Sequence, residues 1–372
     1  MERRLSYLLT VFLLGFSTEI SAFFATNDSI FLVFVGDIMQ HKTQIDAVTA
    51  PDGSFNYEPC FRLVRDEIAS ADLAMGNLET TLGGKPYSGY PMFSAPDEFA
   101  LALKELGFDV LLTANNHSLD RGVKGAKRTI AVLDSLDIRH TGLFNSAEER
   151  EQRYPLMLSV KDIKIALLNY TYGTNGIPFQ KPFIVNLIDS ARIVADIAQA
   201  KLAEPDLIIA FMHWGDEEKR YPNAVQKRLT EMLFEQGVNL VIGAHPHVVQ
   251  SMEKRYLDNG RCNRLVAYSL GNFVSNQPFV NTDGGAILKV AIVCDTVGIR
   301  IVRAEYSLVW VYKPKENGRT RHYLLPVANF ENDDQLLDAR YKKALELFTG
   351  NARKLLNKEN IGVSEYRIFP IQ

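Results

Sequence analysis

Cysteine is scarce in this 372-residue sequence. The three present, Cys60, Cys262 and Cys294, lie far apart at spacings that suggest no pair, and an odd number leaves one unpaired within a monomer. Cys294 ends an apolar run over 287–294 and reads as a small buried hydrophobe. None of the three is a good nucleophile candidate. Long basic runs are missing too. Lys and Arg number 41 against 44 Asp and Glu, a net charge of -3, which leaves no footprint for a phosphate backbone and argues against a nucleic-acid partner. There is no internal repeat, low-complexity tract or evident linker. Apolar residues, 47% of the chain, suffice for one large core or two that share an interface.

The amino terminus lacks the roughly 20 apolar residues that cross a bilayer. Arg3 and Arg4 precede an apolar run over 5–16, Glu19 interrupts it, and the small residues Ser21 and Ala22 follow. This pattern is expected of a signal peptide over 1–22, cleaved near Ala22, and of export to the periplasm or cell envelope.

Short apolar runs alternate with helical patterns beyond it. Strands are expected at 30–35, 72–75 and 110–113, with helices over 61–69, 98–106 and 123–136. A second set follows: 163–168, a helix over 191–202 opened by Asp189, then 207–212, a helix over 225–234, and 240–242. From about 251 the rhythm changes to hairpins, with Asp258-Asn259-Gly260 as a turn and strands at 265–270, 286–293 and 299–308 that read as antiparallel. Over 335–356, Leu337, Tyr341, Leu345, Phe348 and Leu355 recur at helical spacing among Lys and Arg, the pattern of a surface helix. The expected fold is α/β, two packed sheets flanked by helices, in one domain over 28–310 with a C-terminal extension over 311–372.

Ligands of open α/β sheets gather just past the carboxyl ends of strands. Those loops are unusually polar here: Asp37 and Met39 follow the first strand, Asn77 and Glu79 the second, and Asn115, Asn116, His117 and Asp120 the third. Later come His213-Trp214-Gly215, His245-Pro246-His247, and Asn272. A lone histidine at a strand end is more often structural than a ligand. Four of the seven histidines fall in these loops, however, and oxygen with imidazole is the donor set of Mn, Zn or Fe rather than of Cu(I) or a thiolate cluster.

Taken together, Gly36-Asp37, Gly76-Asn77-Leu78-Glu79, Asn115-Asn116-His117 with Asp120, His213-Trp214-Gly215, Gly243-Ala244-His245-Pro246-His247 and Ser269-Leu270-Gly271-Asn272-Phe273 resemble the bacterial capsule-synthesis CapA family. The resemblance runs over about 30–293 and includes the loop 170–176. It implies a distant branch of the calcineurin-like metallophosphoesterases, with a four-layer fold and one or two divalent ions. It also implies Asp37, Asn116, His213, His245 and His247 as metal ligands, His117 as general acid, and Asp120 as the group that orients it. Asn115, Trp214 and Asn272 would support the site or touch substrate.

Two positions depart from the superfamily pattern. Met39 stands where a ligand histidine is usual, and Asn77, itself a candidate metal ligand, where a bridging aspartate is usual. Glu79 and His41 are the candidates to replace them, and a thioether is a weak donor to hard or borderline ions. One tight ion is therefore expected, held mainly by Asn116, His213 and His245, with Asp37, Glu79 and His247 completing a second position. The resemblance implies a role in making a capsule or a poly-γ-glutamate-type surface polymer. Three readings stay open: a hydrolase of phosphoester or amide bonds, a metal-binding assembly or export factor without turnover, and a structural polar site without cofactor. The implied partners are an anionic polymer or a small phosphoester or amide, and envelope assembly proteins.

Overall fold

The computed structural model describes residues 29–367 apart from 317 and 333–335. The segment read as a signal peptide lies outside the described residues. The first part of the chain runs β1 (Ser29–Ile38), α1 (Lys42–Val48), α2 (Glu58–Phe61), α3 (Arg65–Ala69), β2 (Leu73–Leu78), α4 (Asp97–Leu106), β3 (Val110–Leu112), α5 (Gly122–Ser135) and β4 (Arg139–Thr141). Then come β5 (Leu143–Phe144), α6 (Ala147–Arg153), β6 (Leu156–Val160), β7 (Ile163–Thr171), β8 (Ile184–Val185), α7 (Ser190–Lys201), β9 (Leu207–His213), α8 (Ala224–Glu235), β10 (Leu240–Ala244), β11 (Met252–Tyr256) and β12 (Cys262–Ala267). They are followed by β13 (Asn272–Val274), β14 (Gly284–Asp295), β15 (Gly298–Tyr312), β16 (Lys315–Glu316), β17 (Arg319–Thr320), β18 (Tyr323–Pro326), α9 (Val327–Phe330), α10 (Ala339–Glu359) and β19 (Ser364–Glu365).

Two sheets carry the fold. The first is ordered β18-β15-β14-β1-β2-β3-β4 and the second β11-β12-β10-β9-β7-β6. In the first, β1 to β4 are mutually parallel, and β14, β15 and β18 extend it antiparallel. In the second, β7, β9, β10 and β12 are parallel, edged by antiparallel β6 and β11.

Strand alternation explains the layering. Ile30, Leu32 and Phe34 point between the sheets, where they join Ile165, Leu167, Ile209, Phe211 and Ile242 in one apolar core. Val33 and Val35 point the other way, toward Phe61, Phe99 and Leu103 of the helices on the outer face. The second sheet repeats the arrangement, with Leu168 and Tyr170 facing Ile193 and Ile197 of α7 and Leu233 of α8. The order is helices, sheet, sheet, helices. Asp189 caps α7 as expected, accepting from the Arg192 N–H at 2.7 Å.

Two expectations need correction. Not every strand after 251 is antiparallel. The β11–β12 hairpin turns the chain back so that β12 runs parallel to β10, and β13 lies parallel to the carboxyl end of β1. Cys294 is exposed rather than buried, because the long β14–β15 hairpin outruns the core and its last residues, Cys294 and Asp295, reach solvent.

Candidate metal centre

Every polar loop singled out in the sequence arrives at one edge, where the carboxyl ends of β1, β2 and β3 in one sheet meet those of β9 and β10 in the other. Two close backbone approaches make the convergence possible. A side chain at Gly36 would overlap the Gly271 carbonyl oxygen at 2.0 Å, and one at Gly243 the Tyr268 carbonyl at 1.9 Å.

Asp37 is the fully buried anchor. Its Oδ1 accepts from Asn77 Nδ2 at 2.8 Å, the His245 backbone N–H lies 3.2 Å from both carboxylate oxygens, and Oδ2 is 3.0 Å from His247 Nδ1. His247 Nδ1 is also 3.0 Å from Asn272 Oδ1. Both of those neighbours are acceptors, so Nδ1 carries a proton, and Nε2, 3.8 Å from Glu79 Oε1, is the nitrogen left for an ion; burial opposes the charged imidazole, but Asp37 outweighs it and raises the His247 pKa. Burial alone would raise the Asp37 pKa, but the hydrogen bond and charge of His247 outweigh it and hold the carboxyl well below its usual range.

His213 is equally buried. Its Nε2 is 2.8 Å from Asn116 Oδ1 and 3.7 Å from Glu79 Oε1, and its Nδ1 is 3.2 Å from Asn77 Nδ2. Asn116 is turned by Asn175, whose Oδ1 accepts from Asn116 Nδ2 at 3.3 Å, so the Asn116 oxygen faces the histidine. Burial holds His213 neutral, helped by nearby His245, and His245 is lowered to about 3 for the same first reason, with His247 second. The His245–Pro246–His247 turn is strained, since both histidines have positive φ, 97° and 59°.

Glu79 lies at the centre. It is fully buried, and neither of its carboxylate oxygens has a hydrogen-bond partner; His245 Nδ1 is also unpaired. Burial first, and the Asp37 charge second, push the Glu79 pKa well above the usual range. An ionised carboxylate so placed costs several kcal/mol unless something compensates its charge. Two groups of donors converge on it: Asp37, Glu79 and His213, and Glu79, His245 and His247, the ligand atoms of each lying within 4.8 Å of one another. Two ligands on one ion at ~2.1 Å stand roughly 3.4 Å apart, and the 3.7 and 3.8 Å separations around Glu79 Oε1 are close to that. The donor chemistry, the orphaned atoms and the spacing all fit a divalent cation.

The other sequence candidates sort by what they touch. His117 Nδ1 is 2.7 Å from Asp120 Oδ2, which also accepts from the Phe93 N–H at 2.7 Å. The imidazole is thereby fixed edge-on to the Phe93 ring at 4.7 Å. Asn77 spends its amide on Asp37 and His213, and its Oδ1 accepts from Asn115 Nδ2 at 3.4 Å. Asn115 ties β2 to the β3 loop through Leu78 O, at 2.8 Å, and the His117 N–H. Trp214 supports the site from behind. Its ring is buried on Tyr268 and Nε1 donates to the Tyr268 carbonyl at 3.0 Å, so it braces the loop from within the core. His41 joins neither donor group; Nε2 pairs with Ser275 Oγ and the ring packs on Phe93. Met39 is buried in the core.

Three residues were not singled out in the sequence. Tyr172 lies over His245, ring centres 4.5 Å apart, Asn175 orients Asn116, and Tyr90, 72% exposed, leans on His117 and Phe93. Tyr172 and Asn175 sit in the 170–176 loop, and Tyr90 in a Pro- and Gly-rich stretch, 83–91, that reads only as a turn.

The description "Bacterial capsule synthesis protein PGA_cap" belongs to a family whose model matches residues 31–277. The capsule biosynthesis protein CapA of Bacillus anthracis is 27% identical over 274 residues, which span 71% of this chain and 64% of that protein. The PGA biosynthesis protein CapA of Bacillus subtilis (strain 168) is 30% identical over 277 residues, 71% of this chain and 68% of that protein. Among solved structures, the calcineurin-like phosphoesterase YfkN from Bacillus subtilis superposes with a TM-score of 0.46 at 10% identity, covering 88% of this chain and 97% of that one. Among the described residues no helix is long and apolar enough to cross a membrane. With two thirds of its length matched by the family model, this chain belongs to the bacterial capsule synthesis PGA_cap family.

Proposed function

We propose that this protein is an exported, divalent-metal-dependent hydrolase of phosphoester or amide bonds that acts in the synthesis of a capsule or poly-γ-glutamate-type polymer. The observation that carries the reading is Glu79, a buried carboxylate with both oxygens unpaired between two histidine-containing donor groups. Asp37, Glu79, Asn116, His213, His245 and His247 are the residues that would hold Mn, Zn or Fe. Such a cation, when bound, makes water a nucleophile near neutral pH and stabilises developing negative charge. The chain's own part is then positional. His117, which pairs with Asp120 through Nδ1, would give a proton to the leaving group or a hydrogen bond to the transition state. Asn116 and the Asp37 carboxylate hold His213 and the His245–His247 turn in place.

The assay is metal analysis of the purified protein together with hydrolysis of a generic phosphodiester in added Mn. Retained metal and turnover that EDTA abolishes support the proposal. Retained metal without turnover on phosphodiester or amide substrates favours the assembly-factor reading. One observation already leans that way, since Asn77 donates to Asp37 where a bridging carboxylate would be expected.

A further inference from the structure

A cleft of about 500 Å³ lies beside the candidate metal centre but outside it. It opens between the carboxyl end of α1 and the β16–β17 hairpin. Its lining combines apolar Val48, Pro51 and Pro59 with cationic Arg319 and Arg321. Each guanidinium spends one N–H on a carbonyl at the end of α1: Arg321 Nη1 donates to Ala47 O, and Arg319 Nη1 to Thr49 O at 3.0 Å. Four N–H groups remain on each. Glu316, also in the lining, accepts from Tyr323 OH and lies 3.9 Å from Arg321, so it offsets one of the two charges. Arg319 has no carboxylate partner among the described residues. His322 lines the cleft, is buried to 5% exposure, and leaves Nδ1 unpaired.

Hydrogen bonds made by the segment 272–277 link the cleft wall to the metal centre. Asn272 Oδ1 is 3.0 Å from His247 Nδ1, Ser275 Oγ is 3.3 Å from His41 Nε2, and Asn276 Oδ1 is 2.9 Å from His322 Nε2. Gln277 O accepts from Lys313 Nζ at 3.2 Å. From His41, α1 runs seven residues, about 10 Å, to the cleft wall.

We infer that this cleft is an anion subsite that binds a flexible, carboxylate-bearing chain, holding a segment of it about one short helix away from the metal centre. Guanidinium forks match carboxylates and phosphates alike. The apolar part of the lining favours the former, because the methylenes between side-chain carboxylates can lie on Val48, Pro51 and Pro59, whereas a phosphate chain has none. The inference rests on the anionic-polymer part of the proposed function and not on turnover.

The test is titration calorimetry of the full chain in EDTA at low salt, with oligoglutamate in one arm and oligophosphate in the other. Because no metal or reaction is involved, the hydrolase reading can fail in its own assay without affecting this one. Saturable oligoglutamate binding, weakened about tenfold by Arg319→Gln and further by Arg319→Gln/Arg321→Gln, is expected. Lys315→Gln, which removes the same charge from the hairpin outside the cleft, should bind as wild type does. Should the double variant fail to fold, Arg319→Gln against Lys315→Gln decides alone. No saturable binding, equal losses in Arg319→Gln and Lys315→Gln, or oligophosphate binding as tight as oligoglutamate would overturn the assignment.

Discussion

Replacing Glu79 with glutamine keeps the shape of the side chain and removes its charge. In the metal-free protein the carboxylate is fully buried, unpaired and beside anionic Asp37, so the folded state holds its proton far above the usual carboxylate range. The unfolded chain releases that proton near ~4.3. Between that pH and the folded pKa the native state binds more protons than the unfolded one, so metal-free stability falls as pH rises through the window. Glutamine has no such term. In EDTA, Glu79→Gln should be more stable than wild type by about 1.4 kcal/mol for each pH unit above ~4.3, up to the folded pKa, and the two should converge near pH 4. Mn²⁺ should close the gap. At 100 times its Kd a ligand stabilises the native state by about 2.7 kcal/mol, and the variant, lacking the carboxylate common to both donor groups, should gain little of that. Thermal unfolding of both proteins in EDTA and in Mn²⁺, at two pH values, gives the four comparisons. A variant no more stable than wild type in EDTA at neutral pH, yet fully stabilised by Mn²⁺, would refute the reasoning.

His117→Ala should leave metal content intact while lowering any hydrolysis about 10²–10⁴-fold; metal analysis and turnover on one preparation check both halves. Asn77→Asp should lower the melting temperature in EDTA, because a donor to Asp37 becomes a like charge, and should raise the amount of Mn²⁺ retained under matched dialysis. His322 is buried and neutral, its pKa lowered by burial to about 3 from 6.5, with Lys313 adding to the effect. The unfolded chain takes up this proton as pH falls below about 6.5 and the native state does not until about 3, so stability should decline across that window by on the order of a few kcal/mol. His322→Gln should flatten the decline, as measured by denaturant unfolding between those pH values.

Strand and helix positions were legible because each is written locally. Alternation along 30–35 sends Ile30, Leu32 and Phe34 one way and Val33 and Val35 the other, and Asp189 caps its helix with no help from distant residues. The polar strand ends were legible for the same reason. What the sequence could not resolve is which of those groups face each other, since that depends on the approach of two sheets. The 3.8 Å between Glu79 and His247 joins residues 168 positions apart, and Tyr172 reaches His245 only because Thr171 ends β7 beside His213. Cys294 misled because an apolar run says nothing about where a hairpin leaves the core.

The expectation of one tight ion came from counting donors lost at Met39 and Asn77, and the geometry changes the terms of that count. Glu79 belongs to both donor groups, so the carboxylate that Asn77 fails to supply is present two residues further on, just past the end of β2. The imidazole missing at Met39 is not replaced, because His41 is committed to Ser275. One group therefore holds Asp37, Glu79 and His213, the other Glu79, His245 and His247, and only the second brings two imidazoles to a single ion. Those two imidazoles also sit on a backbone already strained into positive φ and pinned by Asp37 through the His245 N–H and His247 Nδ1. A turn preset in this way does not have to be ordered by the ion, so metal binding there draws little on folding free energy. Two sites of unequal affinity are therefore the expected outcome, the tighter at Glu79, His245 and His247. Ion release under graded dialysis should accordingly be biphasic, and His245→Ala should remove the slower phase.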